Sequence, residues 1–301
     1  MAQKEPVYIL IPAHNRKQIT LKCLATLGQA DYLERYHVVV VDDGSTDGTA
    51  EAIHTLYADA TVLKGDGNLW WTGAIKKGME YAFEQGAEFF IWLNDDTLPA
   101  LGCLPIMVAQ CVQYPNTIVA AQCYEASDFE TPTYGGQIKE FLSLRLFYTP
   151  LNQTIACDCM SGNLVCLPRS VIEKIGYPPN DKLPHCWADV VYTWEARKAG
   201  YKLEVLGNAT AICAFNPLEE GWASSSMPMA KRWKLLLSLK SNLYPSAYWN
   251  YCKNFYGSLA LVPFIQVYLR LILFTIVRWL LPLRVLKQMK EWKERILSFN
   301  A

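Results

Sequence analysis

With 301 residues and a hydrophobic share of 51%, the chain can build a full core and has room for one large domain or a domain plus an appendage. Its 28 basic and 28 acidic residues cancel, so no global field draws it to nucleic acid and no nucleic-acid partner is expected. The 10 cysteines lack paired CxxC spacing, and Cys157 and Cys159 read as strand alternation rather than a zinc site, which predicts free thiols in a reducing, cytoplasmic setting. Gln3-Lys4-Glu5-Pro6 precedes only a short apolar run, so no signal peptide is expected.

Val7-Tyr8-Ile9-Leu10-Ile11-Pro12 is the first strand, closed by Pro12 and followed by the loop Ala13-His14-Asn15-Arg16. Leu21, Leu24 and Leu27 recur at helical spacing and predict a helix from about Lys17 to Leu27. Val38 to Val41 is a second strand. It ends in Asp42-Asp43-Gly44-Ser45-Thr46-Asp47-Gly48-Thr49, where Ser45 or Thr46 is expected to cap a helix from about Thr49 to Tyr57. A short strand, Ala60 to Leu63, leads into Gly65-Asp66-Gly67-Asn68 and a helix over Thr72 to Gln85. Phe89 to Leu93 then runs straight into Asn94-Asp95-Asp96-Thr97.

Unbroken apolar runs are the mark of strands buried on both faces, and strand–helix alternation predicts a parallel sheet with right-handed crossovers. In such sheets ligands bind just past the carboxyl ends of the strands. Four consecutive loops at that edge carry Asn15, then Asp42 and Asp43, then Asp66 and Asn68, then Asp95 and Asp96. Each alone is explained by a capped turn. Together they fit a nucleotide, because Asp and Asn side chains can read base and ribose edges. Asp95 and Asp96 suit a hard divalent cation on a diphosphate, with a polar turn as the alternative. No G-x-G-x-x-G follows the first strand, which argues against a dinucleotide fold.

The second half is less regular. Leu101 to Tyr114 is predicted helical and Thr117 to Cys123 a strand, whereas 125–156 has turns and no clear period, as expected of a stretch that lies over a site or is partly mobile. Ser161-Gly162-Asn163 precedes the apolar run Leu164 to Leu167. His185-Cys186-Trp187-Ala188-Asp189 leads into a helix over Val190 to Ala199, so N-capping is one available role for Asp189. Tyr201 to Leu206 and Ala211 to Phe215 read as two short strands.

Four segments together resemble family 2 glycosyltransferases: Ile9-Leu10-Ile11-Pro12-Ala13-His14-Asn15-Arg16, Val39-Val40-Val41-Asp42-Asp43-Gly44-Ser45-Thr46-Asp47, Gly67-Asn68-Leu69-Trp70-Trp71-Thr72-Gly73-Ala74 and Leu93-Asn94-Asp95-Asp96-Thr97. The third is similar to bacterial enzymes of surface-polysaccharide synthesis, rhamnosyltransferase-like members among them. The resemblance covers roughly residues 5–215. It implies the GT-A nucleotide-diphospho-sugar transferase fold, an α/β architecture with a mainly parallel sheet flanked by helices. It also implies a domain over 1–220, with 221–301 as a C-terminal helical appendage. By the same resemblance Pro12, Ala13, Asn15, Asp42, Asp43, Asp66, Asn68 and Gly73 would line the donor pocket, for a UDP or dTDP sugar. Asp95 would face the sugar nucleotide, and Asp96 would hold Mn²⁺ or Mg²⁺. Asp189 would be the general base of an inverting transfer to a glycan or polyprenyl-linked acceptor. Related sequences carry a second acidic residue and an arginine soon after the base; Val191 and Glu195 stand in those places here, with Arg197 two positions later. Trp187 and His185 are acceptor candidates beside the base, and Trp70 and Trp71 could stack on a sugar or pack their loop onto the core.

In the appendage Met229 to Leu239 and Tyr248 to Tyr256 are predicted helical. Leu259 to Leu283 is mostly apolar but holds Gln266, Arg270 and Arg278. At helical spacing Gln266, Arg270, Arg284 and Gln288 share a stripe. With Trp279 and the basic Arg284, Lys287 and Lys290, the segment reads as an in-plane helix at the inner face of the cell membrane. A dimer or core helix and a spanning helix are the alternatives. For the whole chain, the alternatives to a transferase are a nucleotidyltransferase of the same fold, disfavoured by the lack of a Gly-rich basic triphosphate loop, and a non-catalytic sugar-nucleotide-binding or scaffold protein.

Overall fold

The computed structural model describes residues 3–128, 130–214 and 227–280. The chain divides into two compact units, Met1–Asn216 and Pro217–Ala301.

The first unit begins with β1 (Val7–Ala13), α1 (Lys17–Gln29), α2 (Tyr32–Arg35), β2 (His37–Asp42), α3 (Thr49–Leu56), β3 (Thr61–Lys64), α4 (Trp70–Glu84) and β4 (Phe89–Leu93). There follow β5 (Leu98–Pro99), α5 (Cys103–Gln113), β6 (Thr117–Tyr124), β7 (Pro132–Tyr134), β8 (Gly136–Lys139), β9 (Leu144–Leu146), β10 (Thr154–Ala156), β11 (Cys159–Met160) and β12 (Leu164–Pro168). It closes with α6 (Arg169–Ile175), α7 (Ala188–Lys198) and β13 (Lys202–Ile212). The main sheet runs β10-β13-β6-β12-β4-β1-β2-β3. As the strand–helix alternation predicts, β3, β2, β1 and β4 are parallel.

The central strands bury both faces. Ile9, Ile11, Val38, Val40 and Ile91 pack with Leu24 and Leu27 of α1 and Met107 of α5. Their alternate neighbours Leu10, Val39, Val41, Phe90 and Trp92 pack with Met79 of α4 and Tyr192 of α7. Each fully buried aliphatic or aromatic side chain contributes about 1.5–3 kcal/mol, so this double-sided packing supplies the rigidity of the carboxyl edge.

Several local expectations change. The sheet is mixed, because β12 enters antiparallel between β4 and β6. That insertion pairs Leu164 with Leu93 and lets Asn94 N–H donate to the Asn163 carbonyl at 3.0 Å, so the amino end of β12 arrives at the carboxyl end of β4. The two strands expected near the end of the unit are one strand, β13, whose pairing with β6 shifts between Leu206 and Thr210. Gly207 lies at the shift. A Cβ there would stand 1.9 Å from the Pro150 carbonyl oxygen, so only glycine allows the chain to pass. Phe215 lies outside the described residues. The stretch 125–156 contributes short strands to both sheets, the smaller being β11-β8-β9. Strands of three or four residues are too short to show a period. The helix after β2 is capped by neither Ser45 nor Thr46: Asp47 Oδ1 accepts the Thr49 N–H at 3.1 Å and its hydroxyl at 2.5 Å.

The second unit contains α8 (Met229–Leu236), α9 (Pro245–Tyr256) and α10 (Leu261–Leu280). Tyr248 and Trp249 pack against Phe264, and Tyr268 Oη donates to the Leu243 carbonyl at 2.7 Å, fixing one face of α10. Arg284, Lys287, Gln288 and Lys290 lie outside the described residues.

Candidate active site

The polar loops at the carboxyl ends of β1, β2, β3 and β4 are tied to one another. Asn15 has φ 50°, a left-handed value that Asn tolerates better than most residues. That turn aims its Oδ1 at the Thr46 N–H, 2.7 Å away, while its own N–H donates to Ser45 Oγ at 2.8 Å. Asp42 Oδ1 accepts the Ser45 N–H at 3.2 Å, closing the same turn. His14 Nδ1 lies 2.6 Å from the Asp43 carbonyl oxygen.

Asp43 is buried, and both carboxylate oxygens go to backbone: Oδ1 accepts the Gly67 N–H at 2.8 Å and Oδ2 the Trp70 N–H at 3.0 Å. Its carboxylate therefore holds the loop that carries Asp66 and Asn68. Glycine is required beside it, since a Cβ on Gly65 would stand 2.5 Å from Asp43 Oδ1 and 2.9 Å from Asp43 Cα. Asp66 Oδ1 accepts the Asn68 N–H at 2.9 Å, an Asx turn that leaves both side chains at the rim. Gly73 is buried in the first turns of α4, where a Cβ would meet Leu69 Cβ at 3.2 Å. Ala13 is buried at the end of β1, pairing with Asp42 across the ladder; Pro12 precedes it.

After β4, Asn94 turns to one partner and the two aspartates share another. Asn94 Oδ1 accepts the Trp71 indole N–H at 2.7 Å. Asp95 is 3% exposed; its Oδ1 pairs with Arg16 Nη1 at 2.8 Å and its Oδ2 accepts the Thr20 hydroxyl at 3.1 Å. Asp96 is 19% exposed, and its Oδ2 lies 2.8 Å from Arg16 Nη2. One guanidinium thus bridges two adjacent carboxylates. Burial pushes the Asp95 carboxyl up to about 6, with Arg16 pulling it down and Asp96 pushing it up.

Asp189 comes from α7 and faces the same turn through a glycine. Trp187, at φ 70°, is the N-cap of α7, so Asp189 sits inside the first turn and is not the cap. Its Oδ2 accepts the Gly162 N–H at 2.6 Å and its Oδ1 the Val190 N–H at 2.8 Å. A Cβ on Gly162 would stand 2.6 Å from Trp71 Cζ2 and 2.9 Å from Asp189 Cβ. Gly162 is therefore clamped between the proposed base and the indole that binds Asn94. Burial raises the Asp189 carboxyl above the ordinary range, while the two N–H donors oppose the shift.

His185 and Trp187 lie on the loop before α7. Thr72 N–H donates to the Pro184 carbonyl at 3.1 Å, which docks that loop on the start of α4, and the His185 and Trp70 rings meet edge-on with centroids 5.7 Å apart. Trp71 packs edge-on against core Trp92 at 5.6 Å, so its role is structural support under Asn94. Val191 is buried and Glu195 pairs with Lys198 at 2.6 Å. Arg197 is bound to Asp158 at 3.1 Å, about two turns along α7 from Asp189.

Sequence reasoning left Arg16 and Gly162 without roles, although both stand in segments it singled out. A basic residue shortly after a strand and a glycine before an apolar run carry no local signal of a partner 80 or 27 residues away. Among the described residues no three His, Cys, Asp or Glu side chains cluster as a metal cage. The donor set that remains is hard oxygen from Asp96, partly open to solvent, which fits a cation whose other ligands are phosphate oxygens and water.

Compared with known proteins, the family described as Glycosyl transferase family 2 matches residues 8–176. Glycosyltransferase AglE of Haloferax volcanii is 28% identical over 211 residues, 65% of this chain and 63% of its own, so the match spans less than two thirds of that relative. Among solved structures, GalNAc-T7 with UDP, GalNAc and Mn²⁺ superposes with a TM-score of 0.58 at 14% identity, over 79% of this chain and 49% of that one. A mannosyltransferase, PcManGT from Pyrobaculum calidifontis in complex with GDP-Man and Mn²⁺, gives 0.53 at 17%, over 96% and 85%. S. aureus TarS 1-349 gives 0.54 at 16%, over 88% of each chain. At these identities the structures show the shared GT-A fold.

Proposed function

Because the chain belongs to glycosyl transferase family 2, we propose that it is an inverting, metal-dependent glycosyltransferase that moves a sugar from a nucleoside diphosphate to a glycan or lipid-linked acceptor. The observation that carries the reading is the Asp189–Gly162–Trp71–Asn94 connection. It holds a carboxylate with raised proton affinity beside the Asn94-Asp95-Asp96 turn, through contacts too tight for any side chain at residue 162.

Pro12, Ala13, Asn15, Asp42, Asp66, Asn68 and Gly73 form the nucleoside side of the site, and Asp43 acts there by holding the loop. Asp96 would hold the divalent cation, with Asp95 behind it. When bound, Mn²⁺ or Mg²⁺ supplies stabilisation of negative charge on the diphosphate. Asp189 takes the proton of the acceptor hydroxyl as that oxygen forms its bond to the anomeric carbon. The bond from that carbon to the diphosphate breaks on the opposite face, its electron pair leaving with the nucleotide, so configuration inverts. His185 and Trp187 border the acceptor side. UDP in one fold neighbour and GDP-Man with Mn²⁺ in another support the donor class and the cation.

The second unit supports a membrane-surface location. The most apolar 18-residue stretch of α10 has mean hydropathy 1.7, and 11% of its residues are buried. Leu261, Ile265, Leu269, Ile272, Ile276 and Leu280 remain exposed along it. Arg270 is exposed as well, which favours an in-plane helix over a spanning one.

The test is turnover of UDP-, dTDP- and GDP-sugars with Mn²⁺, followed by the anomeric configuration of the product in NMR. Inversion at the anomeric carbon is expected. A retained configuration would contradict a single displacement driven by Asp189, and an absence of turnover with any donor would favour a non-catalytic sugar-nucleotide binder.

A further inference from the structure

Half the charge of the Asp95–Asp96 pair is already balanced by part of the chain itself. Arg16 leaves β1's carboxyl-end loop and places Nη1 2.8 Å from Asp95 Oδ1 and Nη2 2.8 Å from Asp96 Oδ2. The two ends of this bridge differ. Asp95 is 3% exposed and its second oxygen is taken by the Thr20 hydroxyl, so removing its counter-charge would strand a buried carboxylate. Asp96 is 19% exposed, so that end can be exchanged for another cation with water close at hand. The Arg16 side chain is itself 39% exposed, so it reaches the pair from the open side of the site and has room to turn.

We propose that Arg16 is a built-in counter-cation, and that a divalent ion gains Asp96 only when Arg16 Nη2 gives it up while Nη1 stays on Asp95. This rests on the reading of Asp96 as the cation ligand and adds a competition to it. A guanidinium and a metal ion cannot both occupy the inner side of one carboxylate, and the positive charge of the guanidinium opposes a second cation beside it. The affinity of the nucleotide-free chain for a divalent ion is therefore set by Arg16 as much as by Asp96. The proton count does not change, because guanidinium remains charged throughout. The Nη2 donor that is released becomes available to an anionic group arriving with the cation, which makes occupancy of the two sites mutually supportive.

The experiment is Mn²⁺ binding to the full chain without nucleotide, read as loss of the free-ion EPR signal. Arg16→Gln should bind Mn²⁺ at least about fivefold tighter than wild type, within the usual range of coupling between sites. Arg16→Lys, which keeps the charge but not the two-pronged reach, should fall between them and carries the test if Arg16→Gln does not fold by circular dichroism. Asp96→Asn should abolish binding with either residue at position 16. Equal or weaker binding in the Arg16 variants, with Asp96 still required, overturns the competition and leaves the cation site standing. Binding that persists without Asp96 overturns the cation assignment itself, and with it this proposal.

Discussion

Asp95 and Asp96 are neighbours in sequence, yet the chain treats them differently, and the difference decides what each can do. The side chain of Asp95 is buried under Arg16 and Thr20, which favours a structural counter-charge; that of Asp96 remains open enough to take a ligand. Asp96→Ala should therefore abolish Mn²⁺-dependent stabilisation by nucleoside diphosphates in a thermal-shift assay while leaving the unliganded melting temperature near wild type, because specific ligands stabilise only the state that binds them. An unchanged Mn²⁺-dependent shift would remove Asp96 from the cation site. The sequence made the carboxylates visible as a pair but not their division of labour, since burial depends on α1, which delivers Thr20 from 75 residues away. Asp189 is a similar case. Burial raises its proton affinity, so the ionised form costs folding free energy above the folded pKa, and that cost vanishes below the ordinary carboxylate range, where the group is protonated in both states.

At the scale of elements, the decisive event is the antiparallel entry of β12 between β4 and β6. The parallel half of the sheet was legible because unbroken apolar runs alternate with helical spacing from Val7 to Leu93. The insertion was not, because Leu164 to Leu167 is equally apolar whichever way it runs, and the strands of 125–156 are too short to show a pattern. Yet it is β12 that carries Gly162 to Asp189 and Asn163 to Asn94. Gly162→Ala probes that junction. Its φ lies outside the left-handed region, so the cost is space alone: a Cβ within 2.6 Å of Trp71 and 2.9 Å of Asp189. Overpacking of this kind costs about 1–3 kcal/mol, so the variant should fold with a lowered melting temperature. Transfer should fall more than about tenfold as Asp189 and Trp71 are pushed apart, since small misplacements of catalytic groups are expensive. Wild-type turnover in a folded Gly162→Ala protein would show that the junction does not position the base.

At the scale of the molecule, the two units pose separate questions. The second was legible as helices, but the stripe expected to orient its apolar helix is only half within the described residues, as Gln266 and Arg270. With apolar residues exposed along α10, the full chain should associate with anionic vesicles more strongly than with neutral ones, and salt should narrow the difference. Indifference to vesicles together with a concentration-dependent dimer would assign that face to a second copy instead. The first unit answers to one comparison above all: the rate of glycosyl transfer against pH for wild type and Asp189→Asn, with donor binding measured alongside. Asparagine can still accept the Gly162 N–H and carries no charge to bury, so stability and donor affinity should stay close to wild type. Wild-type activity should fall on acidification with a limb above the ordinary aspartate range, because the base must be ionised and burial raises its pKa. Asp189→Asn should lose that limb and at least about two orders of magnitude in rate. Transfer near the wild-type rate in this variant, with the acid limb intact, would contradict Asp189 as the base.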